Sequence, residues 1–561
     1  MIYNSAESLE IPRVDLLTFL FDHSFARSKE DTLLHAEARD PAKGITKAHA
    51  RNLTKQFAHF LRREYGIGKN GEGSDVVMVV SSGQSALPCL FYGVIAAGGI
   101  YSAGSPMNTP SELARQIRDG PGKVVVCSKD DAALESTVKA ATEAGLSKRH
   151  VLVLESHPDI KLYSADGAVA CDFRGELDWR VIKDPRELEK SKICILYSSG
   201  TTGLPKGVLV SHQNLVAQSF LMGSRERQYW DKQPAWTGRT LAHLPAAHIA
   251  GVVSYFAAQV VSGATTYWMP KFEFGEFVKH MQALRINTFF TVPPIYLAIA
   301  KHPAVKEQFH HAKQATVGAA PISAELRAEA NRKMPNLVIG QVWGMSETTG
   351  AATCTAVNAQ EHAGSLGPLL PNLSVRLVDE EGNDVAPGQP GEVLIKGPIV
   401  TQGYHRNPEA NEKSFTTDGW MRTGDVMRID ANNLFHIVDR KKASQISHTT
   451  RKKPELIKYK GLQVAPAELE GVLEAHPAVG DAGVIGVPYN DTEAPRAFVV
   501  LTPASKGKVT EQELIQYVHG KVADYKKLRG GLVFVDAVPR SPSGKILRKQ
   551  LRESEKRLSK I

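Results

Sequence analysis

A ten-residue polar loop, Ser198-Ser-Gly-Thr-Thr-Gly-Leu-Pro-Lys-Gly207, gathers the side chains that could seat a polyphosphate. It holds four hydroxyls (Ser198, Ser199, Thr201, Thr202), three glycines (Gly200, Gly203, Gly207) and Lys206. Glycines let successive N–H groups converge on one point, and hydroxyls with an ammonium complete an anion cradle. Two commoner phosphate loops do not fit. The Walker pattern needs Gly-Lys-Ser/Thr after a four-residue gap, whereas Lys206 follows Leu204-Pro205. The dinucleotide pattern Gly-x-Gly-x-x-Gly is absent. An ordinary polar hairpin loop has a similar composition, so the loop alone leaves both readings open.

Other stretches carry chemistry of their own. His248 stands in Leu244-Pro-Ala-Ala-His-Ile-Ala250, where a lone histidine among apolar residues is most simply a core residue. Val317-Gly-Ala-Ala-Pro321 is small enough for a flat base to lie against its backbone. In Gly340-Gln-Val-Trp-Gly-Met-Ser-Glu-Thr348, Trp343 offers an aromatic face for adenine. Ser346 can bond an α-phosphate there, and Glu347 is a hard oxygen ligand suited to Mg²⁺. Asp425, in Trp420-Met-Arg-Thr-Gly-Asp425, could accept from two vicinal ribose hydroxyls, assisted by Arg440; surface salt bridging would use the same residues.

The elements that position these groups read as alternating strands and helices. Apolar runs Ile193–Tyr197 and Val208–Val210 bracket the polar loop, and Ser211 is placed to cap a helix starting near Gln213. Strands are expected at Val76–Ser81, Lys123–Cys127 and Val151–Leu154, with an apolar helix over Ser85–Ala97. The rhythm continues through Leu241–Pro245, Asn287–Val292 and Ala315–Ala319, arguing for α/β layering with largely parallel sheets. Residues 1–75 read as short amphipathic helices and polar loops, with Pro12 setting the entry of a helix over Ile11–Phe21. Between Leu366 and Val438, short β-branched runs separated by turn residues predict a β subdomain. The chain divides into a large domain at 1–438, a hinge at 439–454 and a small α+β domain at 455–561. The most apolar long window, Val252–Met269, is interrupted by polar residues and reads as buried core rather than a membrane span.

Charge is unevenly placed. From Asp439 onward the chain carries 23 Lys+Arg against 14 Asp+Glu, which is the whole of the net +9. That end should meet an anion. It lacks aromatic interleaving and any nucleic-acid module, so a small polyanion such as coenzyme A fits better than nucleic acid. The five cysteines are scattered, without metal-ligand spacing, which suits a reducing compartment.

Taken together the strings resemble the adenylate-forming acyl-CoA synthetases, and the resemblance spans nearly the whole chain. It implies that Ser198–Gly203 and Lys206 grip the β/γ-phosphates of ATP, with Thr201 and Glu347 serving Mg²⁺. Ala319, Ala320, Pro321, Gln341, Trp343, Ser346, Asp425 and Arg440 complete the nucleotide site. His248 lines the carboxylate pocket, whose further walls are Ala250, Ser254, Gly318 and Val342. Lys545, in Pro542-Ser-Gly-Lys-Ile-Leu-Arg548, matches the lysine that neutralises charge between carboxylate and α-phosphate; Lys458 and Gln463 support the site. Lys460 and Gly461 border the coenzyme A tunnel after the small domain rotates. The implied reaction couples a carboxylic acid to coenzyme A through an acyl-adenylate, releasing AMP and pyrophosphate.

The nearest branch is the 4-coumarate–CoA ligase group, especially fungal members acting on aryl or medium-chain acids of secondary metabolism, including toxin or antibiotic pathways. Two positions depart from the plant pattern. Ala250 replaces an aromatic and widens one wall; Val342 replaces glycine and narrows another. Those walls predict an apolar acid that need not be a hydroxycinnamate. At the hinge, Ala443–Pro454 intervene where the family runs from Asp-Arg-x-Lys directly into Glu-Leu-Ile-Lys, so Lys442 and Lys453 are both candidate pivots. That insertion raises the alternative of a nucleotide-binding protein with poor turnover, or a ligase that stops at the adenylate. The terminal Ser559-Lys560-Ile561 resembles a peroxisomal address read by the import receptor, with the cytoplasm as the alternative location.

Overall fold

The computed structural model describes the chain except residues 199–204, 234–235, 321, 360–363, 441–456, 460–461, 465, 491, 542–543 and 559–561. For Asp131, Asp439, Arg440, Lys458, Leu462, Gln463 and Leu558 it describes the backbone alone. The body is mixed α/β. Its seven-stranded sheet runs Lys206–Val210, Cys194–Ser198, Ile100–Ala103, Val76–Val80, Gly122–Ser128, Val151–Glu155, Lys161–Ser164. The five inner strands are parallel and each edge strand is antiparallel to its neighbour. Val76–Val80 is buried at every position, as a parallel strand covered on both faces must be. Helix Leu87–Ala96, buried at all ten positions, covers one of those faces.

A second layer joins Arg239–Ala242, Thr265–Trp268, Leu33–Glu37 and Asp40–Thr46. A third joins Thr288–Thr291, Gln314–Val317, Ile339–Met345 and Gly350–Cys354, the first three parallel. The β-rich stretch is a five-stranded antiparallel sheet in which Ile2–Asn4 pairs with Ser374–Val378. Near the C-terminus, Val479–Tyr489, Thr492–Leu501 and Leu532–Phe534 form a sheet packed by helices Pro466–Glu474 and Glu511–His519. They close their own core around Leu469, Val484, Val499 and Leu514.

Two expectations are corrected. The first helix is Leu16–Phe21, not Ile11–Phe21. Its start is set by Asp15, whose carboxylate accepts the Thr18 N–H at 2.9 Å, because a cap satisfies an end that Pro12 cannot. Residues 33–46, expected to be helix and loop, form two strands. Their partner Thr265–Trp268 lies far along the chain, so no local pattern announces them. The buried window at 252 contains a π-helical stretch, Val252–Ala258.

Candidate active site

Cys194–Ser198 and Lys206–Val210 pair as a hairpin ending in the register pair Ser198–Lys206, so the phosphate loop springs from two fixed points. Ser199, Gly200, Thr201, Thr202 and Gly203 lie outside the described residues. The hairpin's outer edge is clamped: Leu209 N–H donates to Gly403 O at 3.0 Å and His405 N–H to Gly207 O at 2.7 Å. This places the Tyr404 ring 4.9 Å from Lys206 Nζ, a cation–π contact. The Tyr404 hydroxyl donates to Glu347 Oε1 at 2.9 Å. One tyrosine therefore braces both the loop lysine and the carboxylate suited to a divalent cation. The sequence reading had no role for Tyr404, and the string Gly403-Tyr404 gave no sign of one.

Glu347 sits in a single 3₁₀ turn, Ser346–Thr348, that follows strand Ile339–Met345. Thr349 then adopts φ 51°, an outlier for a β-branched residue. It is held there because its buried hydroxyl donates to Ile399 O at 2.7 Å. Such strain is tolerated where surrounding bonds over-determine it, and here it turns Ser346 and Glu347 out of the strand. Trp343, expected to offer an aromatic face, is 6 % exposed. Its Nε1–H donates to Asp425 Oδ2 at 2.7 Å, since a buried indole N–H needs an acceptor. Trp343 thus fixes Asp425, which is itself 3 % exposed. The Arg440 backbone lies opposite Asp425 in the antiparallel register. Gln341 is buried, and its amide nitrogen is committed to the Ser365 carbonyl at 3.1 Å.

Strand Gln314–Val317 leads into Ala319, which is exposed and held at φ 65°. Ala320 follows, half-buried, and Pro321 lies outside the described residues. Beside Ala319 opens a cavity of about 170 Å³ whose walls include His248, Ala250, Ser254, Val342 and Ala319. Four expected pocket residues are therefore brought together. Gly318 stands one layer behind: a Cβ there would come within 2.8 Å of both Phe290 and Val342, the side chains that face the cavity. His248 caps the turn Ile249–Gly251, its Nδ1 accepting the Ala250 N–H at 3.3 Å. That acceptor role assigns the proton to Nε2. Burial holds the pKa of His248 below the ordinary histidine value, so the imidazole is a neutral donor. The π-helical turns that follow rotate Val253 and Ser254 onto the cavity wall, the local irregularity often found at functional sites.

Lys545 arrives from the C-terminal unit. Ser541 N–H donates to Lys545 O at 2.8 Å. Gly544, at φ 79°, approaches so closely that a Cβ would lie 3.3 Å from Val292 and 3.6 Å from Pro294. Val292 follows strand Thr288–Thr291, at the end of the sheet from which Gly318 and Ala319 also emerge. Lys545 follows directly on this contact with the large domain. Lys458 and Gln463 face each other across a short antiparallel pair. Lys460, Gly461, the 443–454 insertion and Ser559–Ile561 lie outside the described residues.

This assembly of phosphate hairpin, carboxylates and neutral histidine has counterparts. Residues 21–405 match the AMP-binding enzyme family, and residues 468–545 match the AMP-binding enzyme C-terminal domain. A protein of Emericella nidulans assigned to the acyl-coenzyme A synthetases is 44 % identical over 99 % of this chain and 98 % of its own. A phenylacetyl-CoA ligase of Aspergillus niger is 34 % identical, covering 99 % of each. The crystal structure of ATP-bound MatB from Rhodopseudomonas palustris superposes with a TM-score of 0.78 at 26 % identity, covering 96 % of this chain and 98 % of that one. The chain belongs to the AMP-binding enzyme family, among its adenylate-forming acyl-CoA synthetases.

Proposed function

We propose that the protein is an AMP-forming acid–thiol ligase that joins a carboxylic acid to coenzyme A. The observation that carries this reading is an acyl-sized cavity lined by His248, Val342 and Ala319, beside a strand, Ile339–Met345, along which Trp343 holds Asp425 and after which Tyr404 holds Glu347. In the first step a carboxylate oxygen attacks the α-phosphorus of ATP and the bond to pyrophosphate breaks. Two anions must approach one another, and Lys545 supplies the positive charge that offsets their repulsion and the charge spread over the pyramidal phosphate. Nε2–H of His248 is suited to hold the carboxylate without adding a competing cation. Asp425 would anchor the ribose hydroxyls. Glu347, braced by Tyr404, offers the hard oxygen that Mg²⁺ prefers; bound there, the ion would make pyrophosphate a better leaving group. In the second step the coenzyme A sulfur attacks the adenylate carbonyl, the thiol proton is lost and AMP leaves.

We also propose an aryl or medium-sized acid. An apolar cavity of roughly 150 Å³ accepts one benzene ring, and the cavity here is of that size, which disfavours long fatty chains. The phenylacetyl-CoA ligase among the relatives supports the same size class. A nucleotide-binding protein without turnover is disfavoured because the C-terminal domain and its lysine accompany the nucleotide site. Acid-dependent ATP–pyrophosphate exchange tests the reading. Lys545→Met should slow that exchange by about a hundredfold, the scale of losing one charge-stabilising group; full-rate exchange by the variant would remove the mechanism.

A further inference from the structure

The acyl cavity is apolar near Ala250 and Val342 and becomes polar with depth. Helix His212–Trp230 lays Gln218, Met222, Glu226 and Trp230 along one wall at four-residue intervals. Gln218 and Glu226 are therefore separated by roughly 12 Å along the helix axis. Gln218 is fully buried, and neither atom of its amide has a partner among the described residues. The same holds for Ser219 Oγ, Arg227 Nε and the indole nitrogens of Trp230 and Trp236, all on residues lining this cavity. Buried polar atoms are nearly always paired, and an orphan costs about 1–3 kcal/mol. Six of the fifteen orphans among the described residues belong to residues that line this one cavity, although the atoms themselves are closed off from its open space.

The deep end is defined by Glu226 and Gln314. Gln314 Nε2 donates to Glu226 Oε1 at 3.0 Å, and both residues line the cavity. Gln314 begins the strand whose other end leads to Ala319, so Glu226 marks the end remote from the nucleotide wall. Burial raises the pKa of Glu226, favouring a carboxylic acid that can donate as well as accept. Thr240 and Thr288 line the same cavity.

We propose that Glu226 and Gln314 form a polar subsite at the end of the acyl cavity, and that the acid activated here carries a hydroxyl or carbonyl remote from its carboxylate. The identity of the occupant as the acyl substrate rests on the ligase reading above. It replaces the wholly apolar acid expected from Ala250 and Val342.

The test uses the full chain and two matched pairs of acids: 3-phenylpropanoic against 3-(4-hydroxyphenyl)propanoic acid, and hexanoic against 6-hydroxyhexanoic acid. Binding is read by quenching of tryptophan fluorescence, since Trp230 and Trp236 line the cavity, and turnover by acid-dependent pyrophosphate exchange. The wild type should prefer the hydroxylated member of at least one pair by tenfold or more. Glu226→Leu should abolish that preference and Glu226→Gln should retain most of it; Gln314→Leu provides a second route should the first variant fold poorly. Equal or better binding of the plain acid in both pairs would overturn the proposal, as would an unchanged preference in both leucine variants. Absence of exchange with every acid would defeat the ligase reading, while fluorescence would still decide the subsite.

Discussion

Lys301 is the most informative residue to change outside the cleft. It ends helix Pro293–Lys301, and its Nζ donates to three main-chain carbonyls of the C-terminal unit: Glu474 at 2.5 Å, His476 at 2.8 Å and Val479 at 2.6 Å. A cation at the end of helix Pro466–Glu474 also complements the helix dipole. The helix that Lys301 terminates begins beside Val292, where Gly544 docks, so the same contact that holds the small domain delivers Lys545. Lys301→Met keeps the aliphatic stem and removes the ammonium. A hydrogen bond to a charged group contributes about 1.5–3 kcal/mol, and water recovers part of that when the domains separate. A net loss of about 2 kcal/mol for the set shifts the docking equilibrium roughly thirtyfold. Pyrophosphate exchange, which needs Lys545 in the cleft, should fall by tenfold or more. Single-turnover reaction of preformed acyl-adenylate with coenzyme A should hold its rate, as expected of a step that the family resemblance places after rotation of the small domain. Equal loss in both half-reactions, or loss in neither, would refute the reasoning.

Two further outcomes follow from particular contacts. Tyr404→Phe removes the hydroxyl bonded to Glu347 and leaves the ring against Lys206; KM for MgATP should rise by about tenfold, the cost of one charge-assisted bond, with folding unaffected by calorimetry. Buried His35, His212 and His243 have pKa values pushed down by desolvation, to about 3, 4 and 4. The unfolded chain binds more protons than the folded one between those values and about 6.5, so stability is fully present above 6.5 and falls as pH drops through the window. At pH 5.5 each histidine should cost on the order of 1 kcal/mol, and Tm measured at pH 7 and 5.5 should show the drop.

Much of the architecture was legible because it is written locally. Val76–Val80 is a continuous apolar run that only a doubly covered strand explains, and Ser211 with Asn214 forms the capping box that starts its helix. The phosphate loop, Ser346-Glu347 and Lys545 were legible as strings, since the chemistry of a hydroxyl, carboxylate or ammonium travels with the residue. Partnership does not travel that way. Trp343 reads as a stacking platform, and only the fold shows that its N–H also holds Asp425, 82 residues away. Tyr404 reads as nothing until the edge of the hairpin sets it between Lys206 and Glu347. Glu226 and Gln218 carry no role in the sequence reading, and only the packing sets both along the wall of a cavity. Residue types along the chain determined which reactions were chemically available; the desolvation and pairing that commit each group to one task arise only when distant segments exclude water together.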